Sequence, residues 1–229
     1  MRKHSKSHTE INKIEPHQER FVRTRVDLIN GARQVFARDG FEPARISDIA
    51  AAAGKTRGAF YDHFCDKEDV FFAIHEEDLT HYLRRASAEL ETASTRAQRL
   101  EALTRHLLDV LKDRRRLMLI LEFKIYAIRH PDRTKRLSEL HRTMCYEGIE
   151  TKLRSLMPEW QRRTQKQRRT ENAQFGAILD GLLVNRLFDP PSLSDKEAAK
   201  FVRASLQAML GPEARRSARR SRQGRAARF

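Results

Sequence analysis

Residues 46–64, with the sequence ISDIAAAAGKTRGAFYDHF, hold the side chains whose types and spacing best suit recognition chemistry. The second half of this stretch collects small, hydroxyl, basic and aromatic residues at the start of a short helical pattern. Hydroxyl and basic groups hydrogen-bond to phosphates and base edges, and small residues let a helix approach a groove closely. The pattern therefore predicts a helix that enters the major groove of DNA.

Two short helices and a tight turn must position these side chains. Ser47 is the predicted N-cap of the first helix, because its hydroxyl can accept a hydrogen bond from a free backbone N–H. Gly54 is the predicted C′ residue, where glycine adopts the left-handed conformation without a Cβ penalty. Thr56 is the predicted N-cap of the second helix. Phe60 and Phe64 are four residues apart and are predicted to face the core.

The flanking sequence favours a complete small domain over an isolated buried helix pair. Upstream, the segment Arg25–Gly40 predicts a helix with one apolar stripe that ends at the glycine. The stripe consists of Leu28, Ile29, Ala32, Val35 and Phe36. Downstream, Asp66 can cap a further helical pattern, KEDVFFAIHEEDL. Three helices of this length and spacing can share one small core. The second and third of them form the helix-turn-helix.

The stretch Arg25–Leu79 resembles the N-terminal DNA-binding domain of the tetracycline-repressor (TetR) family of transcriptional regulators. The position after Gly54 is often apolar or aromatic in that family, whereas here Lys55 places a cation at the DNA edge. Arg45 and Lys55 both belong to the predicted DNA-binding set. The residues that carry the resemblance are Phe36, Gly40, Ile49, Ala50, Ala53, Gly54, Thr56, Arg57, Gly58, Tyr61, His63, Phe64, Lys67 and Glu68.

The resemblance implies a set of contacts to the DNA backbone. Ser47 and Thr56 resemble capping residues that also reach a phosphate. Tyr61 and His63 resemble backbone contacts, one through a phenol and the other through a ring N–H. Lys67 lies at the start of the following helix, where its ammonium and the helix dipole both favour a phosphate.

The remaining positions of the second helix are assigned to the bases or to close approach. Arg57 is predicted to pair with a guanine edge or a phosphate, and Ala59 to touch a thymine methyl group. Asp62 can accept from cytosine N4 or repel wrong approaches, although a solvated surface carboxylate is the favoured interpretation. Two reasons can explain a glycine at position 58, close helix packing and close approach to DNA. A solvated surface group remains the alternative for each charged or polar residue.

The net charge of +15 does not come from the recognition motif. Residues 1–80 contain 13 Lys and Arg against 14 Asp and Glu, a net charge of −1. Residues 81–210 contain 26 against 16, and residues 211–229 contain 7 against 1. The pI of 10.4 is therefore no independent support for the helix-turn-helix. The basic excess still favours long-range attraction to DNA.

The sequence predicts an all-α protein with an N-terminal three-helix bundle and a C-terminal helical domain. The predicted parts are a flexible arm (1–19), a helix-turn-helix domain (20–80), a helical ligand-binding and dimerisation domain (81–210) and a disordered Arg-rich tail (211–229). No apolar stretch is long enough to span a membrane, and the start lacks the apolar core of a signal peptide. Two cysteines make no disulfide framework. A cytoplasmic location is expected.

Later helices follow from apolar periodicity. The segment Arg115–Arg129 is apolar nearly all round and is predicted to be central. Residues 161–170, QRRTQKQRRT, are predicted to form a mobile loop or a solvated helix extension. The other predicted helices are Asp66 to about Leu90, Ala97–Leu111, Pro131–Met157, Glu171–Phe188 and a helix capped by Ser194 that ends at Leu210.

The resemblance also implies that the protein is a homodimer switched by an unknown small molecule. Weaker family-like stretches, LEFKIYAIRHPD and AILDGLLVNRLFDP, support this assignment. The predicted dimer interface is Phe175, Ile178, Leu179, Leu182, Leu183, Phe201 and Leu206. Intrachain core is the alternative for Leu179, Leu182 and Leu183, and both assignments can hold for different faces of one helix. The predicted pocket is His75, Tyr82, Leu103, Leu107, Met118, Phe123, Tyr126 and Met144, with ordinary helical core as the alternative.

Other classes of function are disfavoured. No glycine-rich phosphate loop follows a strand, and no catalytic residue, metal or cofactor is predicted. His75 and His81 are six residues apart and would not share a helix face. Cys65 near a helix start could sense redox state, but a small packing residue is the favoured interpretation. The rival function is a helical protein that binds anionic polymers without sequence preference, through its basic C-terminal half and tail.

Overall fold

A computed structural model of the chain describes residues 16–144, 156 and 164–210, and every regular element in these residues is helical. The predicted all-α class is confirmed. No helix of the described part combines the length and apolar character needed to cross a membrane. The helices are α1 (Pro16–Asp39), α2 (Ile46–Ala52), α3 (Arg57–Tyr61), α4 (Lys67–Thr92), α5 (Arg96–Val110), α6 (Arg114–Arg129), α7 (Pro131–Arg142), α8 (Gln165–Phe188) and α9 (Asp195–Leu210).

The chain divides into two compact units, and α4 and α6 each contribute to both. The first unit contains the residues up to Asp78 together with Met118–Ser138. The second contains Leu79–Leu117 and the residues from Glu139 onward. The predicted boundary between residues 80 and 81 lies near the first division. Residues 118–138 cluster with the N-terminal unit, however, although they lie within the predicted C-terminal domain (81–210).

The first unit is built on the predicted stripe of α1 and on a cluster of aromatic rings. Leu28, Ile29, Ala32, Val35 and Phe36 are all buried. The rings of Phe71 and Phe123 stack with their centroids 3.9 Å apart, and Phe41 packs edge-on against both. These rings join α4, α6 and the α1–α2 loop into one core.

Gly31 determines how closely α1 and α2 approach each other. A Cβ on this residue would lie 2.8 Å from the carbonyl oxygen of Ile49 and 2.9 Å from the backbone nitrogen of Ala53. Glycine is unfavourable in the middle of a helix, so its presence here reflects the close packing of α2.

Helix α1 begins well before the predicted start at Arg25. It extends from Pro16, so the predicted flexible arm is wrong for residues 16–19. Proline suits the first helical position because it lacks only an N–H that would have no partner there. Residues 1–15 and the predicted tail lie outside the described residues.

Other helix bounds follow the predicted signals. The carboxylate of Asp66 accepts a hydrogen bond from the backbone N–H of Asp69 at 2.8 Å, as its predicted capping role requires. Ser194 and Glu197 bond reciprocally at the start of α9. Residues 165–170 belong to α8, so the predicted helix extension is confirmed for them and the loop is wrong. The predicted continuation of α7 to Met157 lies largely outside the described residues.

The second unit packs α9 against both α5 and α8. Val202 and Leu206 of α9 are buried together with Leu100 and Leu103 of α5 and Leu182 of α8. These residues form an apolar core from sequence-distant helices.

Helix α6 is less enclosed than its composition predicts. Ile128 is 72% exposed and Ile125 is 40% exposed. The predicted central position therefore holds for the side of the helix that carries Leu117, Ile120 and Phe123, which are buried, and is wrong for the side that carries Ile125 and Ile128.

Candidate nucleic-acid interface

The turn between α2 and α3 is closed by backbone hydrogen bonds around a left-handed glycine. Gly54 has a φ of +64°. Its N–H donates to the carbonyl of Ala51 at 3.0 Å, and the N–H of Lys55 donates to the carbonyl of Ala50 at 2.8 Å. This is the Schellman arrangement, which satisfies the last carbonyls of the helix. The predicted role of Gly54 is confirmed.

The start of α2 differs from the prediction by two residues. Arg45 occupies the N-cap position with extended backbone angles, and its side chain makes no capping hydrogen bond. Ser47 is already the second helical residue, and its hydroxyl lies 3.4 Å from the Asp48 carboxylate. The predicted Ser47 N-cap is therefore wrong, because the helix begins before the hydroxyl could bond to a free N–H. Arg45 and Ser47 are both exposed, and their contact with DNA stays a prediction.

Helix α3 is held at its start by Thr56, as predicted. The hydroxyl of Thr56 accepts a hydrogen bond from the N–H of Ala59 at 3.1 Å. Phe60 and Phe64 are buried on the inner side of this segment. The capping bond and the two rings fix the helix by its inner face, which leaves its other face available for a ligand.

The exposed side of α3 presents a basic, a phenolic and an acidic residue. Arg57, Tyr61 and Asp62 are all exposed. The Arg57 guanidinium donates to the Tyr61 hydroxyl at 3.4 Å and lies 5.8 Å from the centre of its ring. These side chains therefore lie side by side at a surface where hydrogen bonds to a duplex can form.

Two reasons were predicted for a glycine at position 58, close helix packing and close approach to DNA, and the space around Gly58 tests the first. A Cβ on this exposed residue would meet only the Thr56 hydroxyl oxygen, at 3.7 Å, which is ordinary contact. Close packing within the chain therefore does not require glycine here. Ala59, the next residue, is partly exposed, as a base contact would need.

Lys55 and His63 both contact the N-terminal half of α1. The ammonium of Lys55 lies 2.9 Å from the Asp27 carboxylate. The ring of His63 packs against Phe21, with the centroids 4.0 Å apart. Burial and the nearby Arg25 guanidinium lower the pKa of His63, which favours the neutral imidazole. Their contacts with DNA stay predictions, but neither residue is a free surface group.

The ammonium of Lys67 is engaged within the first unit. It donates to the carbonyl oxygens of Phe41 at 3.0 Å and Glu42 at 2.5 Å. Burial lowers the pKa of this group, while the nearby Glu68 carboxylate opposes that effect. Two of its three N–H donors are thus engaged, so a phosphate contact through Nζ has to use the third donor or replace a carbonyl. The predicted role of Lys67 therefore competes with a structural one.

A buried carboxylate ties the start of α4 to α6 and α7. Glu68 is 2% exposed and accepts hydrogen bonds from the Tyr126 hydroxyl at 2.6 Å and from the Arg133 guanidinium. Burial raises its pKa, but these hydrogen bonds outweigh burial and lower it, so the carboxylate is charged. The Tyr126 pKa is raised to about 12 by burial and by Glu68.

A second tie holds the α1–α2 loop. The Glu122 carboxylate accepts from the N–H of Phe41 at 2.7 Å, beside Gly40, which has a φ of +86°. Arg129 pairs with Glu42 at 2.8 Å. Glu122, Arg133 and these ties were not predicted, because the bonded residues are far apart along the chain and leave no local signal in the sequence.

The predicted pocket residues divide between the two units. Phe123 and Tyr126 belong to the aromatic core and the Glu68 tie of the first unit, where His75 is also buried. Their burial there favours the core alternative for Phe123 and Tyr126. Met118 belongs to the same unit, whereas the predicted residues of the second unit are Tyr82, Leu103, Leu107 and Met144.

Tyr82 lies in a polar cluster of the second unit. Its hydroxyl donates to the Asp113 carboxylate at 3.1 Å, and the Arg116 guanidinium lies 5.1 Å from the centre of its ring. His106 approaches the same ring, with the centroids 6.0 Å apart. Burial, with Arg85 nearby, lowers the pKa of His106 to about 4.

The predicted dimer residues separate into buried and accessible groups. Leu182, Leu183 and Leu206 are buried within the chain, which favours the intrachain-core alternative for Leu182 and Leu183. Phe201 is 52% exposed. Phe175, Ile178 and Leu179 are partly exposed.

Two exposed apolar residues of α8 were not predicted. Val184 is 42% exposed and Phe188 is 87% exposed. With Gly181 they follow helical spacing, and a Cβ on Gly181 would meet no atom within 4 Å. We refer to Gly181, Val184, Phe188 and Phe201 as the α8–α9 stripe.

The described residues contain no group of three or more His, Cys, Asp or Glu side chains that could hold a metal ion. Cys65 is exposed and free.

Comparison with known proteins gives two family matches. Residues 28–74 match the family described as "Bacterial regulatory proteins, tetR family". Residues 96–211 match "BetI-type transcriptional repressor, C-terminal". Together these matches span the helix-turn-helix and most of the later helices.

Curated relatives match either a short stretch or most of this chain. The repressor AcnR from Corynebacterium efficiens is 44% identical over 57 residues, which cover 25% of this chain and 30% of that protein. The chain thus matches less than a third of that relative's length. The regulator AcrR from Shigella flexneri is 29% identical over 197 residues, covering 82% of this chain and 89% of that protein.

Solved structures share the fold at low identity. A TetR-family regulator from Mesorhizobium loti has a TM-score of 0.62 and 23% identity, covering 83% of this chain and 96% of that one. FadR from Thermus thermophilus, a repressor solved in complex with lauroyl-CoA, has a TM-score of 0.58 and 20% identity, covering 83% and 97%.

Proposed function

This chain belongs to the TetR family of bacterial regulatory proteins, and from that premise we propose that it is a ligand-responsive repressor that binds a pseudo-palindromic operator as a homodimer. Of this proposal, the family matches directly support the statement that the protein is a DNA-binding regulator. The observation that carries the proposal is the exposed face of α3, where Arg57, Gly58 and Tyr61 are presented by a helix capped at Thr56. A short recognition helix reads few base pairs, so two copies related by a two-fold axis are needed for a specific site.

The α8–α9 stripe supports the homodimer. Large exposed apolar side chains on two adjacent helices favour association with another apolar surface. Gly181 lies among them with open space above it, which allows the backbone of a partner helix to approach closely. A second copy of the same helices supplies a matching surface, as a two-fold interface requires.

The small-molecule effector is proposed for the second unit. Among the predicted pocket residues of this unit, Tyr82 lies on α4 and Leu103 and Leu107 lie on α5. Their side chains suit an apolar or flat ligand. The complex of Thermus thermophilus FadR with lauroyl-CoA provides a precedent for an acyl ligand in this fold. A ligand that prefers one conformation of the dimer must change operator affinity by linkage.

Selection from random duplexes tests the main proposal. We expect the full-length protein to recover an inverted repeat, and Arg57→Ala to weaken binding to the recovered duplex at least about tenfold, since a good base or phosphate contact contributes about 1–3 kcal/mol. Arg84→Ala, an exposed arginine of the second unit, is the matched control and should bind normally. Recovery of all sequences equally would instead support the anionic-polymer binder, which the basic excess of residues 81–229 favours.

Sedimentation of variants tests the homodimer. We expect Phe188→Asp to shift the protein toward monomer at micromolar concentration, because a carboxylate would be desolvated at the interface. Ile128→Asp places the same charge at an exposed apolar residue of the first unit and should leave the dimer intact. A wild-type protein that sediments as a monomer would refute the dimer, and equal behaviour of the two variants would exclude the α8–α9 stripe.

A further inference from the structure

The recognition motif carries no net positive charge of its own. Residues 46–64 contain Lys55 and Arg57 against two aspartates, and Lys55 is paired with Asp27. Most proteins that bind duplex DNA neutralise several phosphates with lysine or arginine. Because the helix-turn-helix has no net charge, basic groups from a neighbouring part of the molecule are needed to bind the phosphates.

The N-terminal half of α1 supplies such groups. Residues 16–25 contain three arginines and one glutamate. Of these, Arg20 and Arg23 are exposed. Arg25 is not available, because its guanidinium lies 4.4 Å from the centre of the Phe64 ring and donates to the His63 carbonyl at 3.4 Å.

Three contacts place this half of α1 along the recognition helix. Asp27 pairs with Lys55 in the turn before α3. Arg25 and Phe21 contact His63 just after α3 ends. These contacts span both ends of α3, so α1 runs beside it within the first unit.

Helical geometry extends this placement to the exposed arginines. At about 1.5 Å per residue, Arg23 lies about 6 Å and Arg20 about 10 Å along the axis from Asp27. Phe21 and Val22 between them are also exposed, so these turns are not enclosed by the first unit. Arg20 and Arg23 thus belong to exposed turns of α1 that adjoin the residues in contact with both ends of α3.

We propose that Arg20 and Arg23 form a second DNA-binding surface, which holds backbone phosphates flanking the bases read by α3. This inference rests on the proposed function and adds a surface outside the helix-turn-helix. The guanidinium group suits the task because it stays charged and binds phosphate through paired N–H donors. Its effect is independent of base sequence and depends on salt.

Salt dependence of binding tests this surface. The probe is the duplex recovered by selection, prepared with about ten flanking base pairs on each side. For Arg20→Gln/Arg23→Gln we expect the slope of log K against log salt to become shallower by about 1.8 per protomer, since each lost phosphate contact contributes about 0.9. Ethylation of the flanking phosphates should interfere with wild-type binding and not with the variant.

Two further variants separate a phosphate contact from a structural effect. Arg20→Lys/Arg23→Lys keeps the charges and should keep most of the slope. Arg84→Gln/Arg114→Gln removes two exposed arginines of the second unit and should leave the slope near the wild-type value. A slope that is unchanged in Arg20→Gln/Arg23→Gln, with the inverted repeat still recovered, overturns this inference alone. Failure to recover any repeat overturns the proposed function and this inference with it.

Discussion

Helices α3 and α8 each present an exposed face, but the face of α3 is polar and charged whereas the face of α8 is apolar. The face of α3 presents Arg57, Tyr61 and Asp62 around an unobstructed glycine. The face of α8 presents Val184 and Phe188. Polar groups at the first face can be satisfied by water or by a duplex, whereas the apolar groups at the second gain only by leaving water. The two faces therefore suit partners of different kinds.

The helices are also held in place by different means. Helix α3 is fixed locally, by the Thr56 cap, the Gly54 turn and the inner rings of Phe60 and Phe64. Helix α8 is fixed by tertiary packing through Leu182 and Leu183. Substitutions on α3 should therefore affect recognition with little loss of stability. In α8 and α9 the result should depend on which side of the helix is changed.

The largest expected effect is at the inner side of α9. Leu206 is 2% exposed, and Leu206→Ala should lower the free energy of unfolding by about 3 kcal/mol through lost burial and a residual cavity. Phe201→Ala on the outer side should cost little in dilute protein but weaken the dimer. Urea unfolding at several protein concentrations separates them, because only the Phe201 effect should depend on concentration.

Next in size is the buried carboxylate of the first unit. Glu68→Ala leaves the Tyr126 hydroxyl and Arg133 without their acceptor, and should lower the free energy of unfolding by about 2–3 kcal/mol. Glu101→Ala breaks an exposed ion pair with Arg203 in the second unit and should cost less than about 1 kcal/mol. Equal losses in urea titrations of the two variants would contradict the distinction between these contacts.

Acid should act on His106 and on Glu68 in different pH ranges. The pKa of His106 is lowered by burial to about 4, so between about pH 6.5 and 4 the unfolded chain binds a proton that the folded chain does not. Stability from this group is thus present above pH 6.5 and lost toward pH 4, by about 3 kcal/mol. The lowered pKa of Glu68 acts in a more acidic range, below about 4.5.

A variant at His106 checks this separation. His106→Gln should flatten the dependence of the urea midpoint on pH between 6.5 and 4 and leave the steeper loss below pH 4.5 unchanged. The wild-type protein measured in parallel is the control. A midpoint that falls equally in both proteins across the first range would show that another group is responsible.

A smaller effect is expected at the caps of the recognition motif. Thr56→Ala removes the hydrogen bond to the Ala59 N–H and should cost about 1 kcal/mol. Ser47→Ala should cost much less, because Ser47 lies inside α2 and caps nothing. Thermal unfolding of both variants measures the two losses of stability. A larger loss of stability for Ser47→Ala would support the predicted N-cap role of Ser47.

Local signals explain which parts of the site the sequence predicts. Gly54 and Thr56 act through atoms within five residues, so their types and spacing were sufficient. Ser47 was misassigned because a shift of two residues in the helix start changes which side chain can cap. The Glu68 tie involves Tyr126 and Arg133, 58 and 65 residues away, and spacing along the chain cannot reveal such a pairing.

Apolar periodicity has a related limit in α8. It identifies which residues are apolar but not which side meets the chain's own helices. Leu182 and Val184 both fit a helical pattern, yet one is buried and the other exposed. The predicted dimer residues therefore include three leucines that are buried within the chain and do not include the exposed Val184 and Phe188, because only the packing of α9 on α8 separates the two sides.

The smallest expected change in stability is at Gly58, where the contrast between fold and recognition is sharpest. A Cβ there meets only the Thr56 hydroxyl oxygen at 3.7 Å, and the residue has no positive φ. Gly58→Ala should therefore leave the melting temperature unchanged or raise it, by up to about 1 kcal/mol in stability, because alanine favours helix more than glycine does.

Operator affinity should nevertheless fall in Gly58→Ala if the backbone of α3 approaches DNA closely. The added methyl group would then meet the duplex and not the protein. Gly31→Ala is the opposite control, since its Cβ would lie 2.8 Å from the Ile49 carbonyl oxygen and should destabilise the fold. If Gly58→Ala binds the selected duplex as tightly as the wild type, the glycine serves neither packing nor recognition, and the reading face must lie on the side of α3 that carries Arg57 and Tyr61.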